Sequence, residues 1–257
     1  MGMNLPWRSW GGASESDLCV LSYNLHRCRV DQRRFSELLE EQQPDVIAFQ
    51  EYAGYRRHEW WQPDETWYSA RRGELMVVSR FPIKRVEISF SRWPPDQRPF
   101  LNAMYCVLET PQGELGFCNL HIDTPRRALG AVLDRERIIK FENAGYADYR
   151  LKCRQLESKE LRQWLSSFPG PKLIAGDFNM PTDSLIYRDD WNAFRNSFGW
   201  AGWGLGFTKQ TVIRQHEYGL RIDHVLTDDH STPLKCWVGP DLGSDHLPLF
   251  AEIARRD

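Results

Sequence analysis

The chain has 257 residues, enough for one large domain with a substantial core. Its 33 basic and 35 acidic residues nearly cancel, so a polycationic tail is excluded and any affinity for a polyanion must come from local patches. No run of about eighteen apolar residues occurs, and residues 1–17 lack the apolar stretch of an export signal. The chain is therefore expected to be soluble as given, either cytoplasmic or the soluble part of an anchored or exported protein.

Residues 1–17 read as a tail and 18–257 as a single domain, with no internal repeat or low-complexity linker. A strand over 18–23 leads into Asn24. Asp31 can then cap a helix whose stripe, Phe35, Leu38 and Leu39, has i, i+3, i+4 spacing and stops before Pro44. The next strand, 45–49, delivers Gln50 and Glu51, so the domain opens as β-α-β. After a Trp-rich loop, strands are expected over 74–79, 85–90, 102–109 and 115–120. Their turns are marked by Pro82, by Pro94 with Pro95, and by Pro111 to Gly113, which reads as an antiparallel meander ending at Asn119, Leu120, His121. Residues 135–166 are charged and helix-prone, loosened near 143–145, with Leu151, Leu156, Leu161, Trp164 and Leu165 as candidate core contacts. A strand over 173–175 ends in Gly176, Asp177, Phe178, Asn179. A loop to about residue 207 follows, then strands over 221–226 and 247–253, the second preceded by Ser244, Asp245, His246.

The polar clusters recur at strand ends, where a layered α/β fold brings distant residues to one rim. Hydrolysis of a phosphate ester needs charge neutralised on the phosphoryl oxygens, a positioned water and help for the leaving oxygen. Glu51 with Asp245 would hold Mg²⁺, with Mn²⁺ as a substitute, because hard cations take few protein carboxylates and no dense His or Cys cluster suggests zinc. Asn24 and Asn179 would be neutral partners of the phosphate or metal shell. His246 can carry a proton; Asp223 is its expected orienting carboxylate, since the side chain of neighbouring Asp245 points the other way on an extended strand. Asp177 would position or deprotonate the water, or hold a proton for the leaving oxygen; the residues leave both roles open.

Tyr23-Asn24, Phe49-Gln50-Glu51, Asn119-Leu120-His121, Gly176-Asp177-Phe178-Asn179, Arg221-Ile222-Asp223-His224 and Ser244-Asp245-His246-Leu247-Pro248 together resemble the ordered motifs of the endonuclease/exonuclease/phosphatase superfamily. That superfamily includes deoxyribonuclease, apurinic endonucleases, neutral sphingomyelinases and inositol polyphosphate 5-phosphatases. The resemblance spans nearly the whole chain and is closest to uncharacterised bacterial members. It implies an α/β fold built as a four-layer α/β/β/α sandwich of two mixed sheets flanked by helices. It further implies that Glu51 binds the catalytic metal with Asn24 beside it and Asp245 at the metal. Asp177 and Asn179 would contact water and phosphate, and Asp223 would pair with His246. His121 would bind phosphate, supported by Glu74 as in the deoxyribonuclease-like branch. The aromatic pattern of apurinic endonucleases before the penultimate strand is missing from residues 206–221.

No Gly-x-Ser-x-Gly elbow occurs, and His58-Glu59 lacks the second histidine of His-Glu-x-x-His. Gly202, Gly204 and Gly206 lack a Walker lysine and read as a flexible loop. The six cysteines, Cys19, Cys28, Cys106, Cys118, Cys153 and Cys236, lack paired spacing and read as reduced core thiols. Arg126 with Arg127 follows His121 closely enough to reach a substrate phosphate, and Trp60, Trp61 and Trp203 could stack on bases. The chain is thus expected to be a monomeric Mg²⁺-dependent phosphodiesterase with nucleic acid as substrate and no protein partner. Phospholipid or a soluble phosphorylated metabolite is the rival substrate, and a catalytically idle phosphate-binding module the rival from another class.

Overall fold

The structure is a computed structural model, and it describes residues 3–4, 16–52, 61–124, 142–213 and 216–256. β1 (Leu18–Asn24), α1 (Gln32–Gln42) and β2 (Val46–Gln50) form the expected opening unit, with β1 and β2 parallel and Asn24 opposite Gln50. Asp31 caps α1 by accepting from the Arg34 amide at 3.1 Å, and the helix ends at Gln43 in the left-handed region, φ 48°. Strands β3 (Tyr68–Arg72) and β4 (Leu75–Ser79) extend the same sheet, and β13 (Ser231–Val238) with β14 (Leu249–Arg255) completes it in the order β13-β14-β1-β2-β4-β3. The second sheet runs β5-β6-β7-β8-β12-β9, from β5 (Ile83–Ser91), β6 (Phe100–Thr110), β7 (Gly113–His121), β8 (Lys172–Asp177), β9 (Arg195–Asn196) and β12 (Asp223–Thr227). The long helix α2 (Glu142–Ser166) precedes β8; α3 (Leu185–Asp190) and α4 (Ser197–Ala201) follow it, and β10 (Lys209–Ile213) with β11 (His216–Leu220) forms a separate ribbon.

Strand alternation produces the layers. In β1 and β2, Val20, Val46 and Ala48 face the second sheet, where they meet Met104, Phe117, Leu173 and Val225. Their neighbours Leu21, Ile47 and Phe49 face α1 and pack on Phe35, Leu38 and Leu39. On the far side, Tyr105, Cys118, Leu120 and Ile174 pack against Leu161 and Leu165 of α2. The order helix, sheet, sheet, helix is the α/β/β/α sandwich expected.

Several details depart from the expected elements. The meander is three strands rather than four: β4 pairs with β2 in the first sheet, and the chain crosses between sheets around Pro82 before β5. The stretch after β8 contains α3 and α4, and two of its glycines are packed on Phe198; a Cβ would lie 2.6 Å from the ring at Gly202 and 2.3 Å at Gly206. Leu151 of α2 is 50% exposed, because the buried face of that helix carries Arg150, Cys153, Arg154, Glu157 and Ser158 instead. The part of α2 expected before residue 142 lies outside the described residues. Asn4, within the expected tail, bridges to Gly204 and its amide donates to the Phe198 carbonyl at 2.8 Å. All six cysteines are free thiols. Among the described residues no helix is long and apolar enough to cross a membrane.

Candidate active site

Strand polarity decides which residues meet. β1 and β2 are parallel, as are β7 and β8, so Asn24, Glu51, His121 and Asp177 all leave strand ends on one rim. β12 runs antiparallel to β8, which sets Asp223 at its start opposite Asp177. β14 runs antiparallel to β1, so the residues just before it, Asp245 and His246, arrive at the same rim. Glu51, Glu74, His121, Asp177, Asn179 and His246 line one cleft of about 560 Å³, together with Arg27, Gln97 and Phe100.

Asp177 is at the centre. Its Oδ2 accepts from Asn24 Nδ2 at 3.1 Å and lies 3.6 Å from both His121 Nε2 and His246 Nε2. Its Oδ1 accepts the backbone amide of Asn179 at 2.8 Å. Asn24 also reaches Glu51 Oε1 at 3.4 Å, so one buried carboxamide spans both carboxylates. His246 Nδ1 sits 2.8 Å from Asp223 Oδ2, which leaves Nε2 as the edge turned toward Asp177. The Thr208 hydroxyl fixes the start of β12 by accepting the amides of Ile222 at 3.2 Å and Asp223 at 3.1 Å. Burial alone would lower the His246 pKa, but the carboxylates of Asp223 and Asp177 outweigh it and hold the imidazole up at about 9. At neutral pH this ring is therefore an imidazolium.

The backbone around the rim is under constraint. Glu51 and Asn179 both take φ 52°, and His26, Arg27 and Cys28 form a left-handed turn with φ of 44°, 60° and 60°. Such conformations cost about 1–3 kcal/mol each where side chains are present, and they cluster at functional sites. Gly176 shows the tightest approach: a Cβ there would lie 2.0 Å from the Leu120 carbonyl oxygen, so only glycine lets β8 deliver Asp177 beside His121.

Behind Glu51 the two sheets are tied together. Gln50 Nε2 donates to Asn119 Oδ1 at 2.8 Å, and Asn119 Nδ2 donates to the carbonyls of Phe49 at 2.8 Å and Met76 at 3.0 Å. The far side is backed by α2: Arg154 Nη2 donates to the Asn179 carbonyl at 3.0 Å, and Arg150 pairs with Asp123. Glu157 of the same helix is buried and accepts from the Asp123 amide at 3.3 Å; burial and the nearby Asp123 push its carboxyl up to about 8.

The structure places the expected residues as follows. Glu74, expected to support His121, sits on the turn between β3 and β4 and lines the same cleft, while the carboxylate beside His121 Nε2 is Asp177 at 3.6 Å. Asp245, expected at the metal, is engaged by Lys209 Nζ and lies 3.4 Å from His26 Nδ1. Trp61 packs against Phe35, Phe49 and Trp67 rather than offering a face to bases, while Trp203 is exposed. Arg126 and Trp60 lie outside the described residues. Arg27, His26, Lys209 and Arg154 escaped the sequence reading. Lys209 has its partner, Asp245, far away in sequence, and Arg154 looks like any solvated arginine in a charged helix.

The donor set fits a hard divalent cation. Glu51 and Asp177 present carboxylate oxygens to the cleft with Asn24 between them, and no cysteine lines it. Asp177, Asp223 and His246 also lie within 4.8 Å of one another, with Asp223 and His246 joined by their own hydrogen bond.

A two-sheet sandwich with carboxylates, imidazoles and carboxamides on one rim defines a phosphoester hydrolase. The family model described as "Endonuclease/Exonuclease/phosphatase family" matches residues 21–246, and the chain belongs to that family, which is metal-dependent. Among solved structures it is similar to the mannosyl-6-phosphatase of Bacteroides thetaiotaomicron VPI-5482, with TM-score 0.66, 16% identity, and coverage of 92% of this chain and 99% of that one. It is also similar to the 3′ phosphatase NExo from Neisseria bound to product DNA hairpin, with TM-score 0.63, 16% identity and coverage of 92% and 99%. A third similar structure is D. rerio TDP2 complexed with single strand DNA product, with TM-score 0.65, 13% identity and coverage of 92% and 98%. No curated protein sequence matches the chain.

Proposed function

We propose that the protein is a Mg²⁺-dependent phosphodiesterase that hydrolyses nucleic acid. The observation that carries this reading is the convergence of Asp177 with His121, Asn24 and His246 in one cleft that Glu51 also lines. A cation at Glu51 and Asn24 supplies neutralisation of phosphoryl charge when bound. Asp177, fixed by the Asn24 carboxamide and the Asn179 amide, orients the attacking water and takes a proton. His246, held through Nδ1 by Asp223, presents its charged Nε2 edge to a phosphoryl oxygen. Asn179 spends one amide hydrogen on the Ile122 carbonyl at 2.8 Å and keeps the other for the phosphate. His121 and Arg27 supply further phosphate contacts from the cleft walls. Two of the similar structures hold DNA products, which supports the choice of nucleic acid.

A second reading, a phosphatase on a compact phosphorylated metabolite, is favoured by Glu74 and Gln97 in the cleft lining, which offer hydrogen bonds suited to hydroxyl groups. Supercoiled plasmid incubated with Mg²⁺, with EDTA and with the His246→Ala variant separates the two. Nicking that needs both metal and His246 is the expected result, with activity falling steeply as salt rises. An intact plasmid beside rapid release of phosphate from monoesters would replace the first reading by the second. Strong stimulation by detergent micelles with a flat salt response would point to phospholipid.

A further inference from the structure

Lys209 is 7% exposed, and its ammonium contacts Asp245 Oδ2. A lysine is held in such a place only by a counter-charge, and Asp245 is the carboxylate it meets. Its backbone bridges to His246, the Gln210 amide donates to the Asp245 carbonyl at 3.4 Å, and the Leu247 amide donates to the Thr208 carbonyl at 2.7 Å. The ribbon strand β10 is thereby clamped to the segment that carries His246. The other Asp245 oxygen lies 3.4 Å from His26 Nδ1 and 4.0 Å from His246 Nε2. Nitrogen groups from three separate segments thus bracket this one carboxylate.

Glu51 is in a different situation. Among the described residues no cationic side chain pairs with it, and its polar neighbour is the neutral carboxamide of Asn24. A divalent ion takes a carboxylate oxygen at about 2.1 Å. At Asp245 it would have to share the carboxylate with the ammonium of Lys209, and two cations on one carboxylate repel strongly where the lysine is shielded from water.

We propose that Lys209 is a built-in cation that closes the Asp245 side of the rim to metal, so that the site takes one exchangeable divalent ion, at Glu51. Lys209 is then a positioning residue: it acts through Asp245 and β10 on the placement of His246. The inference rests on the reading of Glu51 as the metal position.

Mn²⁺ binding, followed by electron paramagnetic resonance of the free ion and by calorimetry, tests it without any substrate. Wild type should bind one Mn²⁺ tightly, and Glu51→Gln should weaken that ion by tenfold or more. Asp245→Asn should leave its affinity within about threefold, because Asp245 is not its ligand. Lys209→Met uncovers Asp245 and should raise the stoichiometry to two, and adding Asp245→Asn should return it to one. Two tight ions in wild type, loss of the tight ion in Asp245→Asn, or one ion still in folded Lys209→Met would each overturn the proposal while leaving Glu51 as a metal residue. Because the wild type and Asp245→Asn decide on their own, a Lys209→Met variant that fails to fold does not rescue it. Mn²⁺ binding indifferent to Glu51→Gln would sink the metal reading and this inference with it.

Discussion

The two helical layers solve the same packing problem in opposite ways. α1 lays an apolar stripe, Phe35, Leu38 and Leu39, on an aromatic floor where Phe35 contacts Tyr23, Phe49 and Trp61 at ring-centroid distances of 5.5 to 6.3 Å. α2 instead turns Arg150, Arg154, Glu157 and Ser158 inward, at i, i+4, i+7 and i+8 spacing. Each of them is spent on a specific partner: Asp123, the Asn179 carbonyl, the Asp123 amide, and the Trp191 indole, which donates to Ser158 Oγ at 2.9 Å. The first layer stabilises the fold, and the second places the loops that follow β7 and β8. Burying charge is costly, so a helix that does so at a catalytic rim is there for position more than for stability.

That contrast can be broken in order of expected effect. Phe35→Ala should cost about 3–5 kcal/mol in urea denaturation, through lost transfer energy and a cavity among rings, while the folded fraction keeps its specific activity. A comparable loss of specific activity would show that α1 reaches the site after all. On the α2 side, Glu157 is held up at about 8, against 4.5 for a free glutamate. Between those pH values the folded chain keeps a proton that the unfolded chain has released, so stability should fall as pH rises through that window, by an amount on the order of a few kcal/mol. Glu157→Gln should flatten the slope, and parallel slopes for variant and wild type would remove Glu157 from the account.

The mirror case is His224, where burial holds the pKa down at about 3. Its Nε2 lies 2.9 Å from the Met180 carbonyl and its Nδ1 is 3.1 Å from Asn196 Nδ2, which fits the neutral tautomer with Nε2 protonated. Unfolding lets this ring charge, so its contribution is lost as pH drops below 6.5 toward 3, and His224→Gln should weaken that acid dependence in the same denaturation series. A smaller effect is expected from Arg154→Lys, which keeps a charge near Glu157 but loses the planar reach to the Asn179 carbonyl. Its kcat should drop about tenfold, roughly 1.4 kcal/mol of transition-state stabilisation, with the melting temperature shifted by only a few degrees. Unchanged kcat would reduce α2 to packing. Leu151→Ala, on the exposed face, should stay within about 0.5 kcal/mol of wild type.

Legibility in the sequence follows the same divide. α1 could be read because its cap and its apolar stripe agree, and β1, β2 and β8 because each is an apolar run ending in a polar cluster. α2 was legible as a helix, with Leu161 and Leu165 in the core, but its polar inner face was not, since a buried Arg154 and a solvated Leu151 reverse the usual rule that the apolar side faces in. β3 is an edge strand of half-exposed polar residues, and β13 carries Pro233 at an irregularity of its pairing, so neither shows a clean alternation. At the site, the residues that end strands were visible as motifs. Those that act through a distant partner were not: Lys209 has meaning only beside Asp245, and the sheet to which β4 belongs is settled by pairing with β2 rather than by anything within residues 75–79.

The tie between Gln50 and Asn119 has a consequence for the working range of the enzyme. Glu51 and Asn24 ride on one sheet, Asp177 and Asp223 on the other, and the bonds that bridge the sheets behind them join carboxamides to one another and to peptide carbonyls. None of those groups gains or loses a proton in water. The span between the two sheets at the rim is therefore held by a joint indifferent to acidity, while the carboxylates and imidazoles of the rim can change their charge in front of it.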